Sequence, residues 1–128
     1  MTQFCFSESS LDIIFGSQDP PEVVADALMW SACFSEQETK RSIANQLRAR
    51  MLHPSFNETK TLGHLEPDQL HFLAAALTDY ERVLPDPKSI AEAARMRNVI
   101  LNGLDILAGR MVEMCRVPDC PQDLINGA

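Results

Sequence analysis

SIAEAARMRNVILNGLDILAGRMVEMC, residues 89–115, is the longest uninterrupted helical pattern in this chain. At 100° per residue, most of its apolar side chains fall within one broad arc, which indicates a helix packed against a core. Val99 and Ile106, seven residues apart, form a second and thinner apolar stripe on the opposite side. Because such a helix has two faces to cover, we expect the rest of the chain to fold around it.

Three further segments begin with signals that are typical of helix starts. Asp19 precedes two prolines, Ser35 is followed three residues later by Glu38 as in a capping box, and Pro67 opens a third segment. Apolar periodicity then predicts four principal helices, approximately residues 20–34, 36–53, 67–84 and 87–115. The sequence therefore predicts an all-α fold, a bundle of four principal helices within a single domain over residues 1–128.

The segments between and beyond these helices have weaker patterns. In residues 1–18, the apolar run after Ser10 is closed by Gly16, so we favour a short N-terminal helical arm over a short strand at residues 4–6. Residues 54–66 show no apolar period and are predicted to form a mobile loop. Residues 117–128 contain two prolines and are predicted to be an extended or disordered tail.

Two side chains have an unusual place in these patterns. Trp30 lies on the main apolar stripe of the most apolar helix, with Cys33 nearby, and both are predicted to be buried. Arg97 lies within the apolar arc of the longest helix, where a buried guanidinium would need a carboxylate. It either reaches solvent over its aliphatic stem or pairs with an acid of another helix, for which Asp26 is the best candidate.

Charge is unevenly distributed along the chain, whose formal net charge is -7. Residues 1–38 contain seven acidic residues and no Lys or Arg, whereas residues 39–60 have a local charge of +4. An acidic surface disfavours binding to membranes and nucleic acids, although the basic segment leaves one exception. No stretch has the length and apolar character of a transmembrane helix, and the first residues lack a signal-peptide pattern. We expect a cytoplasmic protein with reduced cysteines.

Candidate catalytic and metal-binding residues do not form a recognised pattern. Cys115, Cys120, His64 and His71 could supply four zinc ligands, but their spacing matches no standard zinc motif. No glycine-rich phosphate-binding loop is present, and paired acids lie two residues apart, where they point in different directions on a helix. We therefore expect no enzyme activity, no metal and no cofactor.

Binding to another macromolecule, first of all a protein, is the function that these properties favour. The protein would be an inhibitor, an adaptor or a subunit of an assembly, and in one form of the hypothesis its acidic face occupies a nucleic-acid-binding site. The residues expected on this acidic face are Asp12, Asp19, Glu22, Asp26, Glu36 and Glu38.

Two further binding modes follow from the sequence. The alternative function is a helix-turn-helix-like DNA-binding regulator that uses the basic helix 36–53, with Lys40, Arg41, Arg48 and Arg50 as its contacts. The acidic net charge opposes this alternative. Separately, the stripe of Val99 and Ile106 predicts either a cover by the N-terminal arm or self-association as a homodimer, and the homodimer is favoured.

Overall fold

A small antiparallel sheet accompanies the helices in residues 2–116, the part of the chain that the computed structural model describes, with side chains described through residue 112. The elements in chain order are β1 (Gln3–Phe6), β2 (Leu11–Ile14), α1 (Pro21–Phe34), α2 (Glu38–Leu52), α3 (Pro54–Thr59), β3 (Thr61–Leu65), α4 (Pro67–Glu81) and α5 (Pro87–Arg116). The all-α prediction is therefore wrong, and the chain combines helices with a three-stranded sheet. The predicted tail, residues 117–128, lies outside the described residues.

The N-terminal arm is a β-hairpin and not a helix. β1 and β2 pair antiparallel and are joined by a tight turn, in which the Ser7 amide donates to the Ser10 carbonyl at 2.8 Å. Leu11, Ile13 and Phe15 are buried while the residues between them are half-exposed, which is the period of two expected of a strand. The apolar run was too short for its periodicity to separate a helix from a strand.

Residues 54–66 form α3 and β3, which corrects the prediction of a mobile loop. β3 pairs antiparallel with β2, so the strand order is β1-β2-β3, with β2 in the centre. Leu62 and Leu65 of β3 are buried, and an irregularity between them gives this strand one more residue than β2. There the Asp12 carboxylate accepts a hydrogen bond from the His64 amide at 2.8 Å. This bond fixes the bulge, at which His64 adopts a positive φ of 56°.

The long helices lie close to their predicted bounds because their starts are encoded locally. Proline occupies the first position of α1, α3, α4 and α5, where no amide donor is required. Glu66 and Gln69 form a reciprocal capping box at α4. Asp86 accepts a hydrogen bond from the Ser89 amide at 2.9 Å at the start of α5. The box predicted at Ser35 does not form, and α2 begins at Glu38 after Gln37.

The helices pack as two antiparallel hairpins, α1 with α2 and α4 with α5, and α1 also packs on α4. The inner face of the sheet packs on α5 at Gly103. A Cβ atom at this position would lie 3.0 Å from the Phe4 ring and 3.3 Å from Leu11. Glycine therefore allows the hairpin to approach the longest helix closely, and the buried side chains of sheet and helices form one core.

Two ion pairs join distant parts of the chain. Arg95 of α5 donates to Asp19 at 2.9 Å, and the Asp19 side chain is only 3% exposed. Arg97 pairs with Glu81 of α4, and both side chains are mostly buried. Of the two alternatives for Arg97, pairing with an acid of another helix is the one that the structure shows, but the acid is Glu81 and not Asp26. Asp26 lies on the exposed side of α1, whereas α4 and α5 are direct neighbours in a hairpin.

Candidate functional site

A groove lined by aromatic rings opens to solvent between the C-terminal half of α1 and the middle of α4. Trp30 and Phe34 of α1 form one wall, and Phe72, Ala75 and Ala76 of α4 form the other. The space between them is about 250 Å³, which is enough for one or two large apolar side chains. We call this feature the aromatic groove.

The aromatic groove exists because α1 is apolar on more than one side. Val24, Ala27 and Leu28 turn towards the core and are buried. Trp30 is half-buried and Phe34 is 66% exposed, the largest exposure among the large apolar side chains described. The two rings lie against each other with centroids 5.6 Å apart. The face of α1 that sequence periodicity assigned to the core is thus shared between the core and the groove.

The wall formed by α1 is held in place at its C-terminal end. The Ser35 amide donates to the Ser31 carbonyl at 3.0 Å, and Ser31 is itself buried beside the groove. Arg41 of α2 donates to the Ser35 carbonyl at 2.8 Å, so a side chain of the next helix caps α1. These bonds fix the turn after Phe34, and the groove is therefore largely preformed.

Charged side chains surround the aromatic groove and are mostly acidic. Glu36 and Asp79 lie at its rim together with one cation, Lys40. Along the exposed side of α1, Glu22 and Asp26 continue from the groove towards the N-terminus of the helix. Asp79 also pairs with Arg82 at 3.9 Å, so the acidic part of the border is formed mainly by Glu22, Asp26 and Glu36.

Asp26 lies at a junction of three helices. Burial raises the pKa of Asp26 above its ordinary value of 3.8, the nearby Glu22 carboxylate raises it further, and Arg48 of α2 opposes both effects. Burial, with Asp26 as the second cause, also raises the pKa of Tyr80 on α4. Since Asp26 and Trp30 are four residues apart, this polar junction extends the aromatic groove along the seam between α1 and α4.

The six residues predicted for the acidic face do not lie on one surface. Glu22 and Asp26 share the exposed side of α1, and Glu36 and Glu38 are exposed around the start of α2. Asp12 accepts the His64 amide in the sheet, so it has a structural role. Asp19 is buried in its pair with Arg95. Asp12 and Asp19 are therefore assigned to the fold. The candidate contacts that remain are Glu22, Asp26, Glu36 and Glu38.

The basic residues of the DNA-binding alternative are largely engaged within the protein. Arg41 caps α1, and Arg50 donates to the Gly63 carbonyl at 2.9 Å. Arg48 lies near Asp26, and Lys40 is exposed at the rim of the aromatic groove. The four cations therefore do not form one free basic surface.

The remaining candidates lie at separate places. Val99 is half-buried and lines a hollow together with Phe4 of β1, and Ile106 is 41% exposed. Cys33 is exposed, so its predicted burial is wrong. His64 and His71 are exposed on different elements, and the side chains of Cys115 and Cys120 lie outside the described residues. None of the helices within residues 2–116 is both long and apolar enough to span a membrane.

Comparisons with protein-family models, curated proteins and solved structures returned no match for this chain. The fold belongs to the broad α+β class, and any function must be inferred from the surface itself.

Periodicity alone could not have revealed the aromatic groove. The spacing of Trp30 and Phe34, four residues apart, is the same for a core stripe and for an exposed stripe. Phe72 belongs to another helix, 38 residues further along the chain than Phe34, and only the packing of α1 on α4 brings the rings together. The one local signal was the position of Phe34 at the end of its helix, beside the polar segment 35–38.

Proposed function

We propose that this protein acts by binding another protein, without catalysis, and that the aromatic groove between α1 and α4 is its contact surface. The observation that supports this most directly is the exposure of Phe34, 66%, beside two other aromatic rings in a preformed groove. Aromatic side chains are enriched at the centres of protein interfaces, where a few of them supply most of the binding energy.

The energetic argument concerns surface that folding leaves uncovered. Full burial of a phenylalanine side chain contributes about 1.5–3 kcal/mol, so covering the exposed part of Phe34 would contribute about 1–2 kcal/mol. Trp30, Phe72 and Ala75 would add further area within the same groove. Isolated exposed apolar residues are common on proteins, but a cluster of aromatic rings around a depression is typical of interaction sites.

The chemistry of the border indicates the partner's chemistry. Glu22, Asp26, Glu36 and Asp79 surround or extend the groove, and Lys40 is the cation at its rim. A complementary segment has a large apolar side chain that enters the groove and Lys or Arg residues on either side. The net charge of -7 favours the approach of such a basic segment from a distance. In cells, an inhibitor or adaptor located in the cytoplasm would fit this proposal.

Selection from a library of displayed random peptides tests the proposal and requires no identified partner. Immobilised wild-type protein should enrich peptides that have an aromatic or large aliphatic residue flanked by Lys or Arg. Phe34→Ser should reduce the affinity of the selected peptides about tenfold or more, as expected for loss of a central aromatic contact.

Val83→Ser is the matched control, because Val83 is also an exposed apolar residue, 50% exposed, but does not line the groove. This variant should bind the selected peptides as the wild type does. Circular dichroism should show that both variants are folded, because both side chains are largely in solvent. Equal loss of binding in both variants, or enrichment of acidic peptides, would contradict the proposal.

A further inference from the structure

Within residues 2–116, the outer edge of the sheet has unpaired backbone groups at defined positions. β1 pairs with β2 on one side only, because the strand order places it at an edge. Gln3 faces Ile14, Cys5 faces Asp12, and the next pair in this series, Ser7 and Ser10, is hydrogen-bonded. The pairs of Gln3 and Cys5 are therefore of the hydrogen-bonded kind as well. Since hydrogen-bonded and non-hydrogen-bonded pairs alternate in an antiparallel ladder, the N–H and C=O groups of Phe4 and Phe6 point away from β2.

This edge is short, but it lacks two of the features that usually prevent strand addition, namely proline and charge. β1 has the sequence QFCF, with no proline and no charged residue. Phe4 and Phe6 turn their rings towards α5, where Phe4 lies against Gly103 and Phe6 lies under the Arg110 guanidinium, 4.8 Å from its ring centroid. The opposite face of the strand exposes Cys5.

We infer that this edge pairs with the same edge of a second copy of the chain, on a surface separate from the aromatic groove. The free groups of Phe4 and Phe6 define a self-complementary antiparallel register, in which Phe4 faces the partner's Phe6. Cys5 then lies on the two-fold axis and faces the partner's Cys5. This central pair is of the non-hydrogen-bonded kind, with Cα atoms about 4.5 Å apart.

A hollow beside the edge fits this register. It measures about 570 Å³ and lies between Phe4 of β1 and the side of α5 that contains Val99 and Asn102. The partner's Phe6, opposite Phe4 and on the same face of the joined sheet, would fill it. The register thus places an aromatic pair at this hollow in each copy, against Val99 and beside the polar residues that complete the lining, Thr2, Gln18, Asp19, Arg95 and Asn102.

The position of α5 allows the two copies to approach. Gly103 contacts both β1 and β2, so α5 lies beneath these two strands. Since neighbouring strands are about 4.8 Å apart, the two copies of α5 would lie roughly 10 Å apart, within the usual range for packed helices. Ile106, one turn beyond Gly103 and 41% exposed, would become covered in this arrangement.

Charge also favours pairing of the two edges. Glu8, in the turn after β1, lies opposite the partner's Thr2 in this register. Arg95 lies beside that position, since Thr2 and Arg95 both contact Asp19, and the Arg95 side chain is 47% exposed. Each copy would therefore bring its Glu8 carboxylate towards Arg95 of the other copy, and this approach occurs twice by symmetry.

Disulfide trapping tests the register. In a chain with Cys33→Ser, Cys115→Ser and Cys120→Ser, which keeps Cys5 as its one thiol, diamide should convert two thiols into one disulfide, taking up the two protons and two electrons, and peptide mapping should locate the bond between the two copies of Cys5. A control chain with the same three replacements together with Cys5→Ser and Gln3→Cys has its one thiol two residues away, on the same face. In the inferred register its two thiols are about 14 Å apart, so trapping at position 3 should fall at least tenfold. Equal trapping at both positions would overturn the register.

The mass in solution tests the pairing itself without oxidation. Wild-type protein under reducing conditions should reach the mass of a dimer in light scattering as its concentration rises. Cys5→Lys should weaken dimerisation about fivefold or more, because it places two like charges directly opposite each other. Gln3→Lys, whose lysine would face the partner's Ser7, should have a smaller effect. A wild type that is monomeric at all concentrations, or a dimer indifferent to Cys5→Lys, would overturn the inference. The proposed binding of peptides at Phe34 does not depend on either result, because the aromatic groove is a separate surface.

Discussion

Asp19→Asn should be one of the most destabilising substitutions of a charged residue in this protein. The Asp19 carboxylate accepts hydrogen bonds from the Thr2 hydroxyl, from the Gly16 amide at 2.6 Å and from Arg95 at 2.9 Å. Asparagine has nearly the same shape, but its amide group can accept at only one oxygen and would direct N–H groups at other donors. The substitution thus tests the charge and the hydrogen bonds rather than the packing.

The magnitude follows from the exposure of the partners. Hydrogen bonds to a charged group contribute about 1.5–3 kcal/mol, and the Asp19 side chain is 3% exposed. Arg95 is 47% exposed, so water screens its part of the attraction. We expect a loss of about 2–3 kcal/mol at neutral pH, equivalent to a fall in Tm of roughly 6–15 °C for a chain of this size.

The loss should also depend on pH in a defined direction. Burial alone would raise the pKa of Asp19, but the bonds from Thr2, Gly16 and Arg95 together lower it below the ordinary value of 3.8. Because the pKa of Asp19 is lower in the folded state than in the unfolded state, the ionised carboxylate contributes its full stabilisation above pH 3.8. This contribution disappears as the pH falls through the folded-state pKa. The difference between wild type and Asp19→Asn should therefore narrow below pH 3.8.

Urea unfolding followed by circular dichroism at several pH values measures this difference directly. Asp26→Asn is the control, since Asp26 is an exposed carboxylate whose pKa is raised, and we expect a change within about 0.5 kcal/mol. An Asp19→Asn variant as stable as wild type at neutral pH, or a loss of stability that is equally large in acid, would show that the charge of Asp19 does not stabilise the fold.

Three other substitutions test the packing. Gly103→Val should lower the free energy of unfolding by about 1–3 kcal/mol, because the valine side chain would collide with Phe4 and displace the hairpin. An unchanged Tm would contradict this contact. Leu28→Ala should lower the free energy of unfolding, measured in urea, by about 2–5 kcal/mol, since Leu28 is 0% exposed. A loss below about 1 kcal/mol, the size expected at a surface position, would contradict the place of Leu28 in the core. Arg97→Met should cost about 1–3 kcal/mol by leaving the largely buried Glu81 unpaired. A double-mutant cycle with Glu81→Gln should then give a coupling of about 1 kcal/mol, and zero coupling would exclude the pair.

Local signals were sufficient for the long helices and insufficient for the sheet. Proline at the first helical position, as at Pro67, and an apolar period sustained over several turns specify a helix without reference to the rest of the chain. Each strand has only four or five residues. β2 also depends on β3, which follows it by about 50 residues, and Thr61–Leu65 contains only two apolar positions. The alternation of Leu11, Ile13 and Phe15 was the available signal, and the flanking Ser10 and Gly16 favoured the wrong interpretation.

The binding surface was difficult to predict for a different reason. An acidic segment is visible in composition, but whether an acid is free depends on its neighbours in three dimensions. Asp19 has the same local charge pattern as Glu22, yet it is buried because Arg95 reaches it from α5. Trp30 lies on an apolar stripe, yet it borders solvent because Leu28 and Ala27 fill the core position. Which side of an apolar helix faces water is decided by the packing of the other helices.

The contact between the hairpin and Gly103 has a consequence for synthesis on the ribosome. The inner face of β1 and β2 packs on a glycine that is synthesised roughly 100 residues after these strands. At ~5–20 residues per second, the hairpin would wait roughly 5–20 s for its binding site. During that interval Phe4 and Leu11 would lack their contact with Gly103, which is a long time compared with the ~1–10 μs in which a hairpin itself forms. The hairpin is thus secured only after a much later part of the chain has been made.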